Sequence, residues 1–158
     1  MSRVLLLSVR PRFAQGLLEG TKTAEVRRRF PDVPAGTTVV IYSSSPEKAV
    51  LGTMRARQLV RSNARDIWRD YADVIGIEHW ELTEYLSGAS ECSVLELDAP
   101  DRWREPVRLP ELRRLLNVEP AQSFRYLNGR QLTRLRALSM NNPEVPSMTR
   151  SIPVPALS

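Results

Sequence analysis

Residues 20–27 read Gly20-Thr21-Lys22-Thr23-Ala24-Glu25-Val26-Arg27 and bring an amine, hydroxyls, a carboxylate and a guanidinium close together. Gly20 ends a predicted helix, and the residues after it alternate as in a half-buried strand, with Glu25 and Arg27 on one face. In a regular strand Lys22 and Glu25 would face opposite ways, so they meet only if Lys22 lies in the turn or a bulge intervenes. The stretch is therefore either an edge strand with ordinary surface charges or part of a site for an anionic ligand.

The patterns on either side of this stretch predict an α+β domain of short strands and helices. Apolar periodicity and Gly/Pro punctuation predict strands over 4–9, 21–29, 38–43, 49–60, 90–97 and 103–109, and helices over 11–19, 64–75, 78–87, 110–116 and 130–139. Gly52 is a predicted bulge in the long fourth strand, and long bulged strands curl into barrels. We expect a mostly antiparallel β-barrel of about five or six strands with flanking helices.

Length and composition predict one soluble, cytoplasmic domain. The chain has 158 residues, a single cysteine, Cys92, and no apolar run long enough to cross a membrane, so we expect no membrane partner. Its formal net charge is +5, which favours polyanionic partners. The charge is polarised along the chain, because residues 1–30 are rich in arginine whereas residues 70–98 contain acidic side chains and no lysine or arginine.

Several classes of site are disfavoured by what the chain lacks. There is no phosphate-loop or dinucleotide motif, and the one histidine, His79, lies inside a predicted helix, where it is expected to be a partly exposed surface residue. Cys92 alternates with Val94 along a strand and is expected to be a small core residue. We therefore predict no metal site and no cofactor. Only Lys22 and Lys48 are lysines among the 23 basic residues, which draws attention to Lys22.

Two motifs connect the chain to a known family. The pattern Gly-x-Lys-x-x-Glu-x-Arg, met at residues 20–27, resembles the signature of the ASCH domain family, whose fold is a PUA-like β-barrel. The segment Gln122-Ser123-Phe124-Arg125-Tyr126-Leu127 is similar to one near the end of longer ASCH proteins. The resemblance implies an ASCH domain over residues 1–140, followed by a Pro-rich tail over 141–158.

The resemblance also implies a cleft on the barrel that binds RNA, a nucleotide or a modified nucleoside. Arginine and lysine would neutralise phosphates, glutamate would accept hydrogen bonds from base amino groups, and an aromatic ring would stack on a base. The predicted ligand-binding residues are Lys22, Glu25, Arg27, Ser43, Ser44, Gln122, Ser123, Arg125 and Tyr126.

A metal-independent enzyme acting on RNA or nucleosides is the alternative. Some ASCH proteins are described as amidohydrolases of N4-acetylcytidine that use a lysine and a threonine three residues later, and others as ribonucleases. Glu25 stands where that threonine would fall, so a nucleophile beside Lys22 would have to be Thr21 or Thr23. The predicted catalytic set, if the protein is an enzyme, is Lys22, Glu25 and Thr23.

A substitution separates binding from catalysis at this motif. In a site that only binds, Lys22→Arg keeps the charge and is expected to keep affinity; in a catalytic site it abolishes turnover. A third interpretation is a regulator that contacts a protein partner through the C-terminal helix, with its row Leu132, Leu135 and Leu138, and the tail. The sequence leaves the oligomeric state open.

Overall fold

The computed structural model describes residues 3–140, so the predicted tail, 141–158, lies outside the described residues. Along this part of the chain the elements are β1 (Val4–Val9), α1 (Pro11–Glu19), β2 (Ala24–Arg27), β3 (Thr38–Ser43), β4 (Ala49–Ser62), α2 (Ala64–Tyr71), α3 (His79–Tyr85), β5 (Cys92–Arg108), α4 (Leu109–Leu116), β6 (Phe124–Leu127) and α5 (Gly129–Met140). Among these described residues, no helix is long and apolar enough to span a membrane.

The strands form one mixed sheet in the order β2-β5-β4-β3-β1-β6. Only the β1–β3 pair is parallel among the described neighbours, and the other pairs are antiparallel. The sheet curls into a half-barrel, which confirms the predicted α+β class and the PUA-like architecture. The edge strands β2 and β6 leave a gap, which we call the seam.

The long strands differ from the prediction in one respect: the two strands expected over 90–97 and 103–109 are a single strand, β5. The turn-like residues between them are accommodated within the strand, where Ala99 adopts a φ of 53°. Three register shifts bend the β4–β5 pair, one of them at Gly52, as predicted. A Cβ at Gly52 would lie 2.2 Å from the carbonyl oxygen of Asp101, so only glycine lets the two strands approach here.

Two further elements are shorter than expected. The strand predicted over 21–29 pairs only over 24–27, and the helix predicted over 64–75 ends at Tyr71. Residues 74–76 instead form a loop that pairs with the segment before β2: the carbonyl of Val74 accepts hydrogen bonds from the backbone N–H groups of Thr23 and Ala24. The loop also places the carbonyl of Ile75 beside the Lys22 side chain.

Both faces of the sheet are covered by helices. Leu5 and Leu7 of β1 pack on one face with α1, and Val4 and Leu6 pack on the other face with α4 and α5. β1 is thus buried on both sides, as its continuous apolar run predicts. A third cluster joins α2 and α3 to the start of β5 and contains buried Cys92, which confirms its predicted place in the core.

The leucine row of α5 is used inside the domain. Leu132 and Leu135 are buried in the cluster that covers the α4–α5 face, and Leu138 packs against it. These side chains therefore stabilise the fold rather than form an open face for a protein partner.

Candidate functional site

A cleft of about 870 Å³ opens at the seam, a volume within the range of ligand-binding pockets. Its floor carries Lys22, Glu25 and Arg27, which we call the floor triad. The walls come from the end of β1, from α1, from α3 with the loop before it, and from the residues that precede β6. The topology thus gathers distant segments of the chain around the motif of residues 20–27.

Lys22 lies in the turn before β2, which is the arrangement that lets it meet Glu25. Its ammonium Nζ is 3.1 Å from Glu25 Oε1, donates to the carbonyl of Ala24 at 2.8 Å, and also donates to the carbonyl of Ile75. An ammonium has three N–H donors, so these three acceptors satisfy it. Lys22 is only 4% exposed, and its position serves Glu25 rather than a ligand phosphate.

Two glycines shape the slot that holds the Lys22 side chain. A Cβ at Gly16 would lie 3.2 Å from Lys22 Cβ, and a Cβ at Gly76 would lie 3.3 Å from Lys22 Cδ. Gly76 also has a φ of +74°, which side-chain-bearing residues rarely adopt. The ring of Phe13 covers the ammonium, with its centroid 4.9 Å from Nζ. The slot is therefore fitted to an unbranched lysine stem.

Glu25 is buried between two cations and stays ionised. Its Oε2 accepts a hydrogen bond of 2.8 Å from Arg27 Nε, while Lys22 faces Oε1. Burial alone raises the pKa of this carboxyl, but the charges of Lys22 and Arg27 and their hydrogen bonds outweigh it, and the pKa is lowered from its usual value. Each carboxylate oxygen keeps a lone pair that can accept a further hydrogen bond from the cleft.

Arg27 bridges the seam of the half-barrel. Its Nη1 donates to Ser123 Oγ at 2.6 Å, and its Nη2 donates to the carbonyl of Ser8 on β1 at 2.8 Å. With the bond to Glu25, three of its five N–H donors are used by described residues. One guanidinium thus fixes the carboxylate, the end of β1 and the segment before β6 relative to each other.

The walls and rim of the cleft are aromatic and basic. Trp80 and Tyr85 of α3 are 65% and 42% exposed, which is unusual for large aromatic side chains, and both line the cleft with Phe13. Arg12 of α1 pairs with Glu81 of α3 across the cleft. Flat apolar faces beside guanidinium groups suit a planar ring that is attached to an anionic group.

Comparison with known proteins decides the family. A model of the family described as a domain of unknown function, DUF365, matches residues 7–119. A protein of Zymomonas mobilis named ASCH domain-containing ribonuclease is 26% identical over 135 residues, which cover 85% of this chain and 90% of that protein. The chain belongs to the DUF365 family and is an ASCH domain.

Solved structures agree with this assignment. The crystal structure of ASCH from Zymomonas mobilis superposes on this ASCH domain with a TM-score of 0.80 at 25% identity, covering 85% of this chain and 94% of that one. Human THYN1, crystallised in complex with DNA containing 5-methylcytosine, has a TM-score of 0.57 at 11% identity, covering 90% of this chain and all of that one. At that identity THYN1 shows a shared fold alone.

The ASCH domain brings six of the predicted site residues together. The floor triad lines the cleft with Ser44, Gln122 and Ser123. Ser43 points to the opposite side of the chain from Ser44, so it does not line the cleft. It is fully buried and donates a hydrogen bond to Glu47 at 2.7 Å.

The remaining predicted site residues lie elsewhere in the ASCH domain. Arg125 donates to the carbonyl of Glu119, and Tyr126 lies beneath the guanidinium of Arg3, 4.0 Å from its ring centroid. Thr23 lines a separate cavity of about 420 Å³ with Tyr71 and Glu96. A threonine nucleophile at position 23 would thus be on the wrong side of the segment to act with Lys22 in the cleft. Thr21, the other threonine considered, donates from its hydroxyl to the carbonyl of Gly16 at 3.3 Å.

Sequence reasoning missed the groups contributed by distant segments. The carbonyl of Ile75 and the glycine at 76 hold Lys22, and Trp80 and Tyr85 form the rim. The only local signal was for the rim, whose two aromatic residues lie in a predicted acidic helix. Across the part of the chain that the structure describes, no group of three or more His, Cys, Asp or Glu residues could hold a metal ion.

Proposed function

We propose that this ASCH domain binds single-stranded RNA and takes one base of the strand into the cleft. The observation that carries the proposal is the ionised carboxylate of Glu25 at the cleft floor, buried and held between Lys22 and Arg27. A fixed carboxylate accepts hydrogen bonds from ring N–H and exocyclic amino groups of a base that has left its stack. Around it, Trp80 and Tyr85 offer stacking faces.

One relative supports a nucleic-acid ligand. The Zymomonas mobilis protein, 26% identical over 135 residues, is named a ribonuclease. The net charge of +5 and the arginines around the cleft favour a polyanion in the same way. Affinity is accordingly expected to fall steeply with salt, because each phosphate that an arginine neutralises releases counterions.

Trp80→Ala tests the proposed base-stacking face. We expect this variant to bind a fluorescently labelled single-stranded RNA about fivefold more weakly, the lower end of the usual stacking contribution, because Trp80 is largely exposed. Trp80→Phe keeps a stacking face and is the matched control that should retain affinity. Fluorescence anisotropy at several salt concentrations measures both. Binding that is absent at low salt, insensitive to salt, or equal in wild type and Trp80→Ala would contradict the proposal, and equal binding of DNA would remove its RNA specificity.

Metal-independent RNA cleavage is the second candidate, favoured by the name of the Zymomonas mobilis relative. The lowered pKa makes Glu25 a weak base, and the Lys22 ammonium is satisfied by protein acceptors, so cleavage would depend on positioning and charge. A ribose 2′-oxygen would attack the adjacent phosphorus, lose its proton to solvent, and release the 5′-oxygen, which takes up a proton. Arg27 and Ser123 line the cleft, and the two remaining N–H donors of Arg27 and the Ser123 hydroxyl would donate hydrogen bonds to the phosphate oxygens.

An end-labelled RNA incubated with the protein and a chelator tests this candidate. We expect fragments that end in a 2′,3′-cyclic phosphate, and none from the same strand made with 2′-deoxyribose. Ser123→Ala should slow fragment formation while binding persists. Intact RNA after long incubation would contradict cleavage and leave the binding proposal standing.

A further inference from the structure

Two arginines of the cleft stand out because no described residue accepts a hydrogen bond from their guanidinium groups or forms an ion pair with them. Arg10 and Arg29 line the cleft and are exposed. The pKa of Glu81 is lowered mainly by the hydrogen bonds from the Glu78 backbone and Arg12, although the charge of Arg10 also contributes. Arg12 and Arg28 differ, since Arg12 pairs with Glu81, and Arg28 donates to the carbonyls of Tyr85 and Ser87.

The two arginines follow different strands at the seam. Arg10 directly follows β1, which is next to the edge strand β6, and Arg29 follows β2, the other edge strand. The seam between these strands is crossed by Arg27, whose Nη2 reaches the carbonyl of Ser8. A ligand that contacts Glu25 in this cleft therefore has two arginines in reach that come from different strands of the seam, Arg10 after β1 and Arg29 after β2.

We infer that the cleft takes an internal nucleotide of a strand, held by both of its flanking phosphates, rather than a free nucleoside. The inference rests on the proposed function and adds the chemical form of the ligand. A guanidinium donates paired N–H groups that match phosphate oxygens, and an internal nucleotide carries one phosphate on its 5′ side and one on its 3′ side. Arg10 and Arg29 each contact one of the two, while the base reaches Glu25.

A series of small ligands tests this directly with the full chain. Calorimetry measures dissociation constants for a nucleoside, its 5′-monophosphate, its 3′-monophosphate and its 3′,5′-bisphosphate, made with each of the four bases. At low salt we expect each phosphate to strengthen binding about fivefold, because the contacts are charge-assisted but exposed to solvent. The bisphosphate should therefore bind best and the nucleoside worst.

Single substitutions assign each phosphate to its arginine. Arg10→Gln and Arg29→Gln should each remove the gain from one phosphate, a different one in each variant, and lower the slope of log affinity for RNA against log salt by about 1. Arg134→Gln is the matched control, because Arg134 is exposed on α5, which packs on the opposite sheet face from α1. It should change neither measurement.

The outcomes separate this inference from the proposed function. If RNA binds but nucleoside and bisphosphate bind equally well, the two-phosphate contact is wrong and RNA binding stands. If Arg10→Gln and Arg29→Gln behave like Arg134→Gln, the inference is overturned in the same way. If no RNA binds at low salt, both fail.

Discussion

Glu25→Gln is expected to lower the free energy of unfolding by about 3 to 5 kcal/mol, the usual cost of removing one partner from a buried ion pair. The amide keeps the shape of the side chain but removes the charge that compensates Lys22 and Arg27. Lys22 is 4% exposed, and the Arg27 side chain is 12% exposed, so water cannot replace the lost carboxylate. Urea denaturation at neutral pH measures the difference between wild type and variant.

Glu119→Gln is the matched control for this experiment. Glu119 accepts two hydrogen bonds from Arg113, at 2.7 and 2.9 Å, but the two side chains are 62% and 56% exposed. Water screens such a pair, so the same substitution should cost far less stability here. Equal losses at the two sites would contradict the view that burial makes the floor triad energetically important.

The pH dependence of stability also tests the contribution of Glu25, which should be lost at low pH. Because the folded pKa of Glu25 is lowered, its contribution to stability is complete above the usual pKa of 4.5 and is lost as the pH falls through the folded value. The difference in unfolding free energy between wild type and Glu25→Gln should thus be constant above that pH and shrink below it. A difference that stays constant into acid would mean that Glu25 is not the titrating group.

The sequence was sufficient where the signal is local. The continuous apolar run of β1 predicted a strand buried on both faces, and the stop at Gly20 correctly ended α1. The sequence left open whether a turn or a bulge lets Lys22 meet Glu25, and the structure shows the turn. Strand alternation also separated Ser43 from Ser44, although the two were predicted to share a site. In that case the period of two was informative, and the density of hydroxyl groups was misleading.

What the sequence could not show are contacts between distant segments. The Ile75 carbonyl that accepts from Lys22 is 53 residues away along the chain, and no local pattern links the two. The bulge at Gly52 was predicted, but its close approach to Asp101 is likewise a contact between distant segments. Tertiary packing decides such features, because the free energy comes from pairs that only the folded chain brings together.

Lys22→Arg is expected to destabilise the protein by about 3 kcal/mol, through overpacking and the loss of well-aligned hydrogen bonds to buried acceptors. The sequence alone predicted that arginine would keep affinity because the charge is kept. The slot between Gly16 and Gly76 argues otherwise, since it lies so close to the lysine stem that an added Cβ at either glycine would crowd it. A planar guanidinium also cannot direct its donors at the three acceptors that surround the tetrahedral ammonium.

Lys48→Arg is the matched control, since Lys48 is the other lysine of the chain and is exposed. Urea denaturation should show it nearly unchanged in stability, while Lys22→Arg also binds RNA more weakly because Glu25 is no longer held in place. If the two variants are equally stable, the slot accommodates arginine without a loss of stability, and the site needs only the charge of residue 22. If Lys22→Arg is destabilised but binds RNA normally once folded, Lys22 supports the fold and not the cleft. Only a joint loss of stability and affinity agrees with a lysine whose shape, as well as its charge, positions the carboxylate.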